Sequence, residues 1–153
     1  MDLNNLGLTE RELDFLQVIY DLSREGWEPR VTEVSKKLNV KPSTSEEFLD
    51  HLIDKGFILK KSGSIKILEK GEEVAKTIKR NHRIVETFLY TLGMDLENSC
   101  KNAKAMEYHV TEEFIDSVCS LLGHPSLCPH GREIPHESTC KDNTCRMKLV
   151  TKG

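Results

Sequence analysis

The stretch KNAKAMEYHV, residues 101–110, places a carboxylate and an imidazole, Glu107 and His109, two positions apart. Together they offer an oxygen and a nitrogen donor of the kind that binds divalent transition metals. On a continuing helix these two side chains point to different faces, so both serve one ion only if the helix ends there. Lys104 lies one turn before Glu107. An ammonium facing the same spot repels a unit charge by roughly 4 kcal/mol at an effective dielectric of about 20 and about 4 Å, and a divalent ion by about twice that. A second donor set lies further on: Cys128, His130, Cys140 and Cys145 could supply four ligands to Zn²⁺ or to an iron–sulfur cluster. Their C-x-H and C-x₄-C spacings match no standard zinc ribbon, and redox-active or idle thiols are the competing reading. Cys119, within FIDSVCSLLG, reads as a core residue.

Composition narrows the class. The chain has 153 residues, 37% hydrophobic and 31% charged, as expected of a folded, water-soluble protein. It contains no apolar run near the ~20 residues that span a membrane. The start, MDLNNLGLTEREL, lacks a basic n-region and an apolar h-region, which places the chain in the cytoplasm with no membrane partner. Five cysteines, an odd number, argue against a disulfide framework there. The net charge of −3 does not advertise a nucleic-acid ligand, so any basic face must be local. There is no Gly-rich phosphate loop and no nucleophile motif, so neither an enzyme nor a small organic substrate is expected.

The elements that position these residues can be read in order. LTERELDFLQVIYDLSREG opens with Thr9 and Glu12, a capping box, followed by the stripe Leu13, Leu16, Ile19, Tyr20 and Leu22. A short helix with Val31, Val34 and Leu38 inward leads to a tight joint at Asn39-Val40. The next helix is expected to be capped at Ser43 or Thr44, with Phe48, Leu49, Leu52 and Ile53 buried. Ile58, Ile65 and Ile67 then alternate with polar residues around Ser62-Gly63, a hairpin signal. A long helix over 71–92 follows, with Val74, Ile78, Val85, Leu89 and Leu92 on one face, then helices at about 95–108 and 111–122. Three helices of this size bury little core alone, which predicts a homodimer.

Winged helix, then NHRIVETFLYTLG, then AMEYHVTEEFIDSV, then HPSLCPHGREIP: in this order the chain resembles the iron-dependent and manganese-dependent repressors, the diphtheria toxin repressor family, over about residues 8–135. The resemblance implies a dimer that binds a palindromic operator when a divalent metal is bound. It implies ligands from the first helix, the long linker helix and the helix after it. Carried over position by position, these fall on Asp14, on His82 and Glu86, and on Glu107. The four-residue spacing puts His82 and Glu86 on one helical face. Lys104 stands where the family has Cys or Glu, and Tyr108 where it has His. His109 matches a neighbouring position that is often His in manganese-type members, and Cys100 falls near a secondary-site ligand that is His in iron-type members. These departures move the expected site toward His82, Glu86 and Cys100, a set that suits Zn²⁺, Fe²⁺, Co²⁺ or Ni²⁺ over Mg²⁺ or Ca²⁺. Lys104 would then pair with Asp14 or Glu107. A plain His82–Glu86 hydrogen-bonded pair and a buried, non-ligating Cys100 are the bland alternatives.

In the same resemblance Lys41, Ser43, Thr44 and Glu47 face DNA. Hydroxyls bond phosphates or base edges, and a carboxylate accepts from cytosine N4. Glu46 and Asp50 make this helix acidic, so phosphate affinity falls to Arg30, Lys36, Lys37, Lys41, Lys60, Lys61 and Lys66 around helix and wing. The resulting expectation is a mainly α fold. Residues 1–70 form a winged helix-turn-helix with a small β-hairpin wing, residues 71–123 an all-helical metal-binding and dimerization domain, and residues 124–153 a Cys/Pro-rich segment. The expected function is a metal-dependent (Fe, Mn, Zn, Co or Ni) transcriptional repressor of metal-homeostasis genes, binding double-stranded operator DNA as a homodimer. Two other readings stay open: a metal-independent or cysteine-based redox-responsive regulator, and a metal-binding or protein-interaction module without DNA binding.

Overall fold

The structure, a computed structural model, describes residues 1–136. After a 3₁₀ turn at Leu3–Asn5 come α1 (Glu10–Arg24), α2 (Val31–Leu38), α3 (Pro42–Asp54), β1 (Ile58–Lys61), β2 (Ser64–Ile67), α4 (Glu69–Thr91), α5 (Leu96–Met106) and α6 (Glu112–Leu121). The mainly α fold with a hairpin wing and a C-terminal helical region is as expected. The chain forms two compact units. One is Gly7–Lys76, and the other joins Met1–Leu6 to the chain from Thr77 onward.

In the first unit, α1 starts on the capping box anticipated at Thr9 and Glu12. The Glu12 N–H donates to Thr9 Oγ1 at 3.2 Å, and the Thr9 N–H donates to Glu12 Oε2 at 2.8 Å. Leu13, Leu16, Ile19, Tyr20 and Leu22 are buried, as their spacing required. Asn39 takes the left-handed conformation, φ 52°, that ends α2 and turns the chain into α3. The buried Ser35 and Ser45 hydroxyls, 2.7 Å apart, pin the two helices together. The expected cap at Ser43 or Thr44 is corrected: α3 begins at Pro42, with Lys41 as N-cap and no side-chain cap bond. Proline presets φ and lacks an N–H that the first turn does not need, so the helix starts two to three residues early and no hydroxyl has to cap it.

The wing is the predicted hairpin. Ile58 pairs with Ile67 and Lys61 with Ser64, across Ser62 and Gly63 at φ 51° and 79°. Its free edge is extended by Pro29–Arg30, where the Ile65 N–H donates to the Pro29 carbonyl at 2.8 Å. Gly71 lets α4 begin hard against the wing. A Cβ there would lie 2.4 Å from the Phe57 carbonyl oxygen, which already accepts the Leu68 N–H.

In the second unit Ile84, Val85, Ala103, Ile115, Val118, Cys119, Cys128 and Ile134 form one core, with Phe88 and Leu89 packed against it. Cys119 is core, as expected. Leu92, assigned to the buried face of the long helix, is instead 66% exposed. The helix ends at Thr91, so its periodicity no longer governs that side chain.

Candidate metal centre and nucleic-acid interface

The centre is built on α4. His82 and Glu86 lie one turn apart on the same face, and His82 Nε2 is 3.1 Å from Glu86 Oε2. Helix α5 brings Cys100, whose Sγ is 3.6 Å from the same Nε2. The three donor atoms lie within 4.8 Å of one another. Glu86 is almost wholly buried, and its two ion-pair partners are imidazoles. A buried carboxylate without a fixed cation beside it favours a cation in its place. Burial pushes the Cys100 thiol up from its ordinary range. The Glu86 charge adds to this, with Cys128 and Glu107, against an opposing Arg132. The raised thiol favours its neutral form, and a cation held there would favour the thiolate instead.

Helix α5 ends at Met106 and Glu107 is its C-cap, which turns Glu107 and His109 apart. Glu107 is 2% exposed and His109 is exposed. Glu107 Oε2 lies 2.8 Å from His82 Nδ1, on the far side of the ring from Glu86 and Cys100. With Nδ1 set against Glu107, the Nε2 edge of the ring faces Glu86 and Cys100. This is the carboxylate–histidine arrangement that fixes ring and tautomer in metal sites. Lys104 Nζ pairs with the other oxygen, Glu107 Oε1, at 2.7 Å, and lies 5.6 Å from the centre of the Tyr108 ring. The two residues that depart from the family pattern thus sit with each other and with Glu107. The Lys104 side chain is 59% exposed, so its charge is largely solvated.

Asp14 belongs to the other unit, on α1, 3.4 Å from Arg11. His109 joins neither donor set among the described residues. Cys128 and His130 come together with Glu86, a partner that their own spacing did not indicate. Cys140 and Cys145 lie outside the described residues.

On α3 the buried face is Ser45, Leu49 and Leu52, while Lys41, Ser43, Thr44 and Glu47 are exposed. Lys36 and Lys37 are exposed on the last turn of α2. Lys60 and Lys61 are exposed on β1. Lys60 clamps Glu46 at 2.6 Å, which cancels one of the two charges that made α3 look too acidic for DNA.

Comparison with known proteins decides the class. Residues 7–62 match the family described as "Iron dependent repressor, N-terminal DNA binding domain". Residues 68–136 match "Iron dependent repressor, metal binding and dimerisation domain". Transcriptional regulator MntR of Escherichia coli is 34% identical over 110 residues, spanning 70% of this chain and 71% of that protein. The chain belongs to the iron- and manganese-dependent repressor family. Among solved structures, a hypothetical protein from Sulfolobus solfataricus superposes with TM-score 0.76 at 33% identity, covering 84% of this chain and all of that one. The structure of ScaR with bound Zn²⁺ gives TM-score 0.74 at 26% identity over 82% of this chain and 59% of that one. The chain is a metal-dependent DNA-binding transcriptional regulator, and the family consists of regulators rather than enzymes. Among the described residues no helix is long and apolar enough to cross a membrane.

Proposed function

We propose that this repressor binds one divalent transition metal between His82 Nε2, Glu86 Oε2 and Cys100 Sγ, with Glu107 orienting the ring rather than ligating, and binds operator DNA as a homodimer when that metal is present. The observation that carries the reading is the imidazole held from behind. Glu107 fixes Nδ1 at 2.8 Å while Nε2 faces a buried carboxylate and a thiol. The donor chemistry fits a borderline-soft ion: a thiolate with an imidazole favours Zn²⁺, Fe²⁺, Co²⁺ or Ni²⁺ over Mn²⁺, which prefers carboxylate and carbonyl oxygens. Bound there, the ion supplies positive charge that the buried Glu86 otherwise lacks. Asp14 and His109 are not needed for this set.

The chain up to about residue 70 is the DNA-binding part, the following helices bind metal and dimerize, and the segment from 124 adds donors. In this reading α3 enters the major groove with Ser43, Thr44 and Glu47. Lys36, Lys37, Lys41 and Lys61 hold phosphates. Exposed Leu92, Leu121, Phe114 and Tyr90 in the second unit support a self-association face. Helix α4 is continuous from the wing to the metal ligands, so an ion with different affinities for two arrangements of the dimer shifts their populations. The protein is placed in the cytoplasm, where its operator would be.

The test is selection of duplex DNA from a randomised pool by the purified full chain, with chelator and with each of Zn²⁺, Fe²⁺, Co²⁺, Ni²⁺ and Mn²⁺. Enrichment of a palindrome with metal and its loss with chelator is expected. Equal enrichment with chelator would remove metal control from the reading.

A further inference from the structure

The basic side chains around α3 and the wing are not equivalent. Lys60 Nζ donates to both oxygens of Glu46, at 2.8 and 2.6 Å. Among the described residues Arg30, Lys36, Lys37, Lys41, Lys61 and Lys66 have no such carboxylate partner. The acids of α3 differ in the same way. Asp50 lies one turn beyond Glu46 on the same face. It is exposed and has no cation paired with it among the described residues.

Both ends of the pair stand on fixed backbone within one compact unit. Glu46 follows Ser45, which is buried and bonded to Ser35 of α2. Lys60 stands opposite Ile65 in the hairpin, and Ile65 is buried with its N–H on the Pro29 carbonyl. Glu46 therefore faces Lys60 whether or not DNA is near, whereas a phosphate has to arrive from solution. A partner built into the chain competes at an effective concentration set by the fold. The two side chains are 30% and 42% exposed, so the pair contributes little to stability. Opening it also opposes DNA binding. Glu46 lies three residues on from Ser43, on the same side of α3. A freed carboxylate there faces phosphates of its own sign, so Lys60 reaches a phosphate only by exposing a repulsive charge.

We propose that Glu46 is an internal stand-in for a DNA phosphate: it keeps Lys60 off the duplex and lowers the sequence-independent part of DNA affinity. This rests on the reading of α3 and the wing as the DNA-contacting surface. Non-specific binding is made of phosphate contacts, so one cation withheld weakens it on every sequence. Base discrimination stays with Ser43, Thr44 and Glu47.

The test follows the full chain binding a fluorescent duplex of random sequence by anisotropy over a salt series, with Zn²⁺ and again with chelator. Glu46→Gln should steepen the slope of log binding constant against log salt by about 1 and tighten binding roughly fivefold near ~0.15 M salt. Lys60→Ala alone should weaken binding, by baring Glu46, and leave the slope unchanged, because Lys60 touches no phosphate. Lys60→Ala added to Glu46→Gln should return the slope to the parent value. Asp50→Asn removes the same charge from the same face without releasing a lysine, and should leave the slope unchanged. A slope lower by about 1 in Lys60→Ala alone makes Lys60 a phosphate contact and overturns the proposal. So does a parent-like slope in Glu46→Gln, or an equal steepening in Asp50→Asn. Each of these outcomes leaves the DNA-contacting surface in place. A parent chain that binds no duplex at any salt, with or without Zn²⁺, overturns that surface and the proposal together.

Discussion

Replacing Glu107 by glutamine separates an orienting carboxylate from a ligand. The side chain is 2% exposed and spans two partners, with His82 Nδ1 at 2.8 Å on one oxygen and Lys104 Nζ at 2.7 Å on the other. Glutamine keeps the volume and one acceptor but loses the charge. A hydrogen bond to a charged group contributes about 1.5–3 kcal/mol net and a neutral one about 0.5–1.5, so the ring loses about 1–1.5 kcal/mol of support. Lys104 is mostly solvated and relaxes into water, so its lost partner adds little. The sum corresponds to a Kd for Co²⁺ or Zn²⁺ roughly tenfold weaker, at the lower end of the ten- to hundredfold effects seen when such supports are removed. Competition against a chromophoric chelator at fixed pH measures it, with the number of bound ions unchanged. A Kd within about twofold of the parent would refute the orienting role. Loss of a whole equivalent would make Glu107 a ligand. Lys104→Met supplies the control, with a change of at most about threefold expected. A large gain in affinity would mean that the ammonium occupies the place of the ion.

The remaining predictions concern the first unit. Gly71→Ala should destabilise by about 1–3 kcal/mol in urea melts, because the new Cβ meets the Phe57 carbonyl oxygen at 2.4 Å. Helix propensity alone predicts a gain of about 1 kcal/mol, so the sign of the change decides whether this close approach is real. For Glu12, burial pushes the carboxyl up, but the Thr9 N–H, the Lys55 charge and the Thr9 hydroxyl outweigh it and leave the pKa below its ordinary value. The stabilisation is therefore present above the unfolded-state pKa, about 4.3, and is lost as pH falls through the lower folded value. Glu12→Gln should cost about 1 kcal/mol at pH 7 and progressively less as pH falls through the lowered folded-state pKa; a cost that does not fall with pH would contradict this. Lys36→Ala and Lys37→Ala should each lower the slope of log binding constant against log salt by about 1 if each holds a phosphate. An unchanged slope would take these lysines off the DNA.

Local order was legible wherever neighbours in sequence are neighbours in space. Thr9 and Glu12 fix the start of α1, Ser62-Gly63 fixes the wing, and the four-residue step of His82 and Glu86 puts both on one face of α4. Each follows from backbone geometry, which any window of a few residues contains. The start of α3 lies earlier than expected because proline and a serine–glutamate cap are rival signals in the same window, and the preset φ of Pro42 takes the first turn. Leu92 leaves the buried face because α4 stops at Thr91, and periodicity does not announce where a helix stops.

The metal centre divides along the same line. The types of its residues, two histidines, two glutamates and two thiols, are all visible in the sequence and set the class of ion they could hold. Their roles were not visible. Glu107 stands behind His82 rather than beside it because α5 ends one residue earlier and turns the carboxylate toward α4, across 25 residues of sequence. His130 reaches Glu86 across 44 residues because the turn at Cys128 packs into the same core as Val85 and Ala103. Such contacts arise from burying one apolar face on another, and no local spacing encodes which polar atoms that burial leaves side by side. The sequence alone therefore determined the elements and the donor chemistry, and the tertiary packing decided which donors stand together.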